Sequence, residues 1–242
     1  MRIKNNINCL LFSLIFIQSN VSLAADHDTL KEAINSIWQG QSLYVNKLYK
    51  FESNKKLSYQ VDNLESSHFT FNNIKLDSSK SLFGAIPSMN IDSIYGSEVW
   101  TPKRQYTVIR GTGSGLFSVG EWSDLSFIHV IETTNQWRPK IYSLPATSAT
   151  SDILLGKYKA SNLINYLRVI PVHMTEGQFI EYEVSLYALD NNKIKPVKEN
   201  NKHIAYKVTL KENKWHIEHI DSAVYTKKID LAQRPYYLPI EF

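Results

Sequence analysis

Cysteine is almost missing from this chain. Its 242 residues hold one, Cys9, which excludes an internal disulfide framework and a zinc site built on several thiolates. No apolar run of 18 residues follows residue 24, which argues against a helical membrane protein and for a chain not integral to the membrane. Neither sign of charge dominates. The 27 Lys+Arg and 23 Asp+Glu are interspersed without long blocks, so nothing electrostatic points to nucleic acid as a partner. Glycine, with nine residues, and proline, with eight, are too few for a linker-rich chain. The 43% hydrophobic content is too high for a disordered one.

The first 24 residues have the form of a secretory signal peptide. Arg2 and Lys4 supply a positive start, residues 9–17 (CLLFSLIFI) an apolar stretch too short to span a bilayer, and Ser22 and Ala24 small residues at a cleavage site. Cleavage removes Arg2, Lys4 and Cys9, leaving a mature chain without cysteine. A protein exported to an oxidising compartment without disulfides depends on its core. Its many asparagines include no Asn-x-Ser/Thr sequon beyond the leader. That favours a bacterial exported protein, with the periplasm preferred to the exterior.

The remainder predicts an α+β fold, predominantly antiparallel β-sheet with an N-terminal amphipathic helix. Residues 26–38 place Leu30, Ala33, Ile34, Ile37 and Trp38 on one helical face, with Asp26 or Asp28 as the cap. Residues 77–97, rich in Ser, Asp, Gly and Asn, form a loop that marks the one weak boundary. Residues 25–95 then hold the helix and short strands, as part of the same domain, and residues 96–242 a β-rich core with an extended tail. Residues 126–132 (SFIHVIE) are apolar except for His129, the pattern of a strand buried on both faces. Residues 179–189 and 203–211 alternate strictly, giving half-buried antiparallel strands with one wet face that carries Glu181, Glu183, Ser185, Lys207 and Lys211. Glu212-Asn213-Lys214 and the Asn-Asn pairs at 191–192 and 200–201 are turn chemistry. No βαβ alternation or internal repeat is present.

Signatures of chemistry fall short one after another. Gly111-Thr112-Gly113-Ser114-Gly115 follows a strand but lacks phosphate-loop spacing and a following helix, so it is a hairpin turn or loop. Residues 116–120 miss a nucleophile elbow by having Leu116 at its first position. His216, Glu218 and His219 lack metal-site spacing, and no metal or other cofactor is expected. Glu121, Asp124 and Glu132, near His129, are the weak catalytic candidates, since paired carboxylates beside aromatic rings suit glycoside hydrolysis. Trp100, Trp122, Trp137 and Tyr142 are the binding candidates, as aromatic faces that stack on sugars or anchor a protein. The C-terminal Phe242 invites a barrel reading, but Pro235 and Pro239 would break the strand ladder, which favours a tail lying extended over the sheet.

These features lead to an exported binding or accessory protein. Its partner would be another cell-envelope or secreted protein, or a glycan. The alternative is a carboxylate-dependent hydrolase of a cell-envelope glycan.

Overall fold

A computed structural model describes residues 26–43, 48–63, 66–76, 88–101, 103–113, 125–147, 152–159, 161–176, 178–191 and 193–220. Residues 1–25, which hold the expected leader, residues 77–87 and 114–124, and the C-terminal residues 221–242 lie outside these. In chain order come α1 (Leu30–Ser36), β1 (Tyr49–Lys50), β2 (Leu57–Val61), β3 (Ser67–Phe71), β4 (Ile74–Lys75), a 3-10 turn (Ile91–Ser93), β5 (Tyr95–Trp100) and β6 (Gln105–Thr112). These are followed by β7 (Leu125–Glu132), β8 (Lys140–Thr147), β9 (Leu155–Gly156), β10 (Asn165–Thr175), β11 (Gln178–Asp190), β12 (Lys193–Pro196), β13 (Lys198–Glu199), β14 (Lys202–His203), β15 (Ala205–Lys211) and β16 (Lys214–Ile220).

Every strand pairing is antiparallel, and the sheets curl like a half-barrel. A five-stranded sheet runs β1-β5-β6-β7-β8 and a six-stranded sheet runs β16-β15-β11-β10-β9, with β12 also on β11. A three-stranded sheet is β2-β3-β4, and β13-β14 is a small hairpin.

The five-stranded sheet is the middle layer. On one face Tyr106, Val108, Ile128, Val130, Tyr142 and Leu144 share a core with α1 and the six-stranded sheet. On the other, Ile109, Phe127, Ile131 and Ile141 pack with Leu57, Phe69 and Phe71 of the three-stranded sheet. Residues 126–132 are therefore buried on both faces within an antiparallel sheet, because both faces are covered. β1 lies in the same sheet as β5, so chain from both sides of the 77–97 segment builds one layer.

Two local readings change. The helix is shorter than residues 26–38, and Thr29 caps it in place of Asp26 or Asp28: its hydroxyl accepts from Glu32 N–H, while the Glu32 carboxylate accepts from Thr29 N–H. The predicted loop also ends early, because β5 begins at Tyr95 and pairs along β6.

The turns follow their residue types. Asn72 and Asn73, Asn200 and Asn201, and Glu212 and Asn213 all have positive φ, between 49° and 64°. Paired positive φ values give tight hairpins whose twist matches the flanking strands.

At the seam after β9, the Trp38 indole N–H donates to the Ile153 carbonyl at 2.7 Å. Its ring lies flat on Gly156, where a Cβ would come within 2.4 Å of the ring. Gly156→Ala should therefore cost about 1–3 kcal/mol by overpacking, read as a lower denaturant midpoint with an unchanged slope. An unchanged midpoint would show that the indole moves aside freely.

His129 lies on the face toward the three-stranded sheet, fully buried. Its Nδ1 is 2.9 Å from the Ser143 hydroxyl, and its ring centroid is 5.3 Å from that of Phe69 and 6.3 Å from that of Phe127. Burial holds its pKa down at about 3, against an ordinary 6.5. The unfolded chain therefore binds a proton that the folded chain refuses. Stability is full above pH 6.5 and falls as pH drops from there toward 3, by at most about 1.4 kcal/mol per unit. Chemical denaturation of wild type and His129→Gln between pH 7 and 5 should give a shallower pH slope in the variant, whatever its stability at pH 7. Parallel slopes would refute the assignment.

Candidate functional site

Three hairpin ends meet at one end of the molecule: residues 101–105 between β5 and β6, 132–140 between β7 and β8, and 190–195 between β11 and β12. The first two are tied by backbone. Thr133 N–H donates to the Gln105 carbonyl at 2.9 Å, and Gln105 N–H to the Thr134 hydroxyl at 2.8 Å. The third is tied by charge. Arg104 donates to the Glu132 carboxylate at 3.1 Å and stands 4.0 Å from Asp190. Lys140 is 3.8 Å from Glu132, and Lys195 is 2.9 Å from Asp190.

These 20 positions carry Lys103, Arg104, Arg138, Lys140, Lys193 and Lys195 against only Glu132 and Asp190. Both carboxylates are already engaged by cations, and Lys103, Arg138 and Lys193 make no ion pair among the described residues. The end is therefore distinctly positive, on a chain whose overall charge is nearly balanced. Beneath it Tyr106 has its pKa pushed up to about 12, by burial first and the Glu132 charge second.

Trp137 stands on this end with 86% of its surface exposed. The cause is local. The Asn135 side chain accepts from Trp137 N–H at 3.0 Å, and the Asn135 carbonyl accepts from Arg138 N–H at 3.1 Å. This Asx turn places the indole beyond the last residues of the ladder, where no strand can cover it. Thr134, Asn135, Gln136 and Arg138 around it are also exposed.

The other candidates disperse. Tyr142 is 1% exposed and belongs to the main core, so it offers no binding face. Trp100 ends β5 opposite Gln105 through the backbone. Glu132 forms the ion pairs above. His129 points into the opposite core, away from Glu132, because adjacent parities of β7 face opposite sides. Glu121, Asp124 and Trp122 lie outside the described residues. His216 pairs with Asp26 at 3.0 Å, while His219 lies edge-on to Tyr206 across the sheet. Among the described residues no group of three His, Cys, Asp or Glu side chains could hold a metal ion.

Polar residues elsewhere in the strands are deeply buried as well. Arg168, Glu183 and Ser185 are 1%, 3% and 4% exposed, so the supposedly wet face of β11 is closed over its middle. The Ser185 hydroxyl donates to Glu183 at 3.3 Å, and only the outer part of that face keeps an exposed-type pair, Lys207 to Glu181 at 2.8 Å. Arg110, 7% exposed, sits in phase with Tyr106 and Val108 on the inward face of β6. Its Nε and Nη2 have no hydrogen-bond partner among the described residues. Burial lowers its pKa, opposed by the charge of Asp152, which itself pairs with Lys31. The phase of Arg110 with two apolar neighbours was the available sequence signal for a buried cation.

An unpaired buried guanidinium opposes folding. Replacing Arg110 by Met, of similar length and without charge, should leave the thermal midpoint unchanged or raise it. A loss beyond about 1 kcal/mol would mean that the guanidinium is satisfied. No protein-family model, curated protein or solved structure matches this chain.

Proposed function

We propose that this chain is an exported binding protein, acting in the periplasm, that captures a cell-envelope protein or glycan through its cationic hairpin end. The observation that carries this reading is the indole of Trp137, 86% exposed on a fixed turn among cations. Exposing so large an apolar surface has a free-energy cost in water that a partner removes, and tryptophan and arginine are the residue types most often found to anchor such contacts. The tie between Asn135 and Trp137 holds the indole before a partner arrives, which lowers the entropy lost on binding. The leader supplies export, and the cysteine-free core suits a compartment in which free thiols are oxidised.

Glu132 serves this reading as a structural carboxylate: with Arg104 and Lys140 it holds two hairpins together. Substitution should separate the roles. Trp137→Ala should weaken retention of the purified chain on native envelope fractions by about tenfold or more, with its thermal midpoint unchanged because the side chain packs on little. Equal retention by wild type and variant would rule out this end as the binding surface.

A further inference from the structure

We infer that the ligand of the hairpin end is an acidic glycan, a polymer of sugar rings bearing carboxylate or phosphate groups. This rests on that end being the binding surface, and it adds the chemistry of what binds there. The chemistry follows from what surrounds Trp137. Its exposed neighbours are Thr134, Asn135, Gln136 and Arg138, two amides, a hydroxyl and a cation, with no second exposed aromatic or aliphatic side chain in the turn.

A protein hot spot clusters several large anchors in a well-packed pocket, whereas Trp137 stands as the one large anchor of its turn. A bilayer anchor likewise needs apolar neighbours that enter the acyl boundary with the indole. One aromatic face ringed by amides fits neither. It fits a pyranose, whose C–H groups carry positive partial charge toward the negative face of the indole, while its hydroxyls meet Asn135, Gln136 and Thr134.

The charge selects among sugars. Lys103, Arg138 and Lys193 are the cations left over once Glu132 and Asp190 are paired, and they come from three different hairpins. Charges spread in this way match an anion repeated along a chain better than a single small ion. An Arg with two Lys also suits both carboxylates and phosphates. Among the described residues no carboxylate at this end remains unpaired to repel such a ligand.

The test measures binding of the exported chain to immobilised polygalacturonate, neutral dextran and polyphosphate, and to vesicles of equal phosphatidylglycerol and phosphatidylcholine, over a range of salt. The expected result is salt-sensitive binding to polygalacturonate, weakened at least tenfold by Trp137→Ala. Replacing Lys103, Arg138 and Lys193 together by Gln should weaken it and flatten its salt dependence. Dextran should bind at least tenfold more weakly, and any polyphosphate binding should ignore Trp137→Ala.

Equal binding to dextran, or polygalacturonate binding indifferent to Trp137, overturns the acidic-glycan assignment. So does Trp137-dependent binding to the vesicles alone. If Trp137→Ala impairs retention on envelope fractions while polygalacturonate fails to bind, the surface stands and the glycan falls. If Trp137→Ala changes neither, the surface falls as well.

Discussion

Strands β6 and β7 bury side chains of both parities, so neither face of the five-stranded sheet can be left to water. That requirement explains the layering. The three-stranded sheet covers one face with Phe69 and Phe71. The helix and the six-stranded sheet cover the other, stitched by the Tyr166 hydroxyl donating to the Pro145 carbonyl at 2.6 Å and by the Trp38 indole at Ile153. A chain with a single cysteine can form no internal disulfide and has to find its stability in such burial.

Covering both faces decides the fate of every polar residue in the strands. His129 Nδ1 and the Ser143 hydroxyl share a hydrogen bond inside one core, His129 Nε2 has no partner among the described residues, and the histidine remains neutral because the layer above it excludes water. Arg110 is enclosed on the face it shares with Tyr106 and Val108, and Arg168 in β10 is 1% exposed. Charges that remain in contact with water collect where the ladders stop. At the end formed by the β5–β6, β7–β8 and β11–β12 connections, Arg104 bridges Glu132 and Asp190 and fixes three turns relative to one another. Arg104 is 24% exposed, Glu132 9% and Asp190 21%, so this bridge is half-buried. Its effect is positional: it leaves Trp137 and the surplus cations in one constant arrangement.

Strands β7, β11 and β15 and the Asn-containing turns were legible because their signals are local. Alternation in residues 179–189 and 203–211 appears as β11 and β15, and the Asn-containing tight turns bend where their side chains tolerate positive φ. The site was only half legible. Trp137 and Tyr142 are five residues apart and equally aromatic, yet one is 86% exposed and the other 1%. Nothing in composition separates them. Trp137 follows an Asx turn beyond the ladder, whereas Tyr142 sits opposite Val130 on an inward face.

By itself the sequence determined strands β7, β11 and β15, their parity and the Asn-containing reversals, since these depend on neighbours within a few residues along the chain, but it did not show β10 (Asn165–Thr175). Tertiary structure alone decided which faces are covered. It turned Glu183 and Ser185 from a wet face into a buried one and brought cations from positions 103, 138 and 193 to one end. The reason is physical: burial and electrostatic field are sums over groups far apart in sequence, and those sums are fixed only when the layers pack.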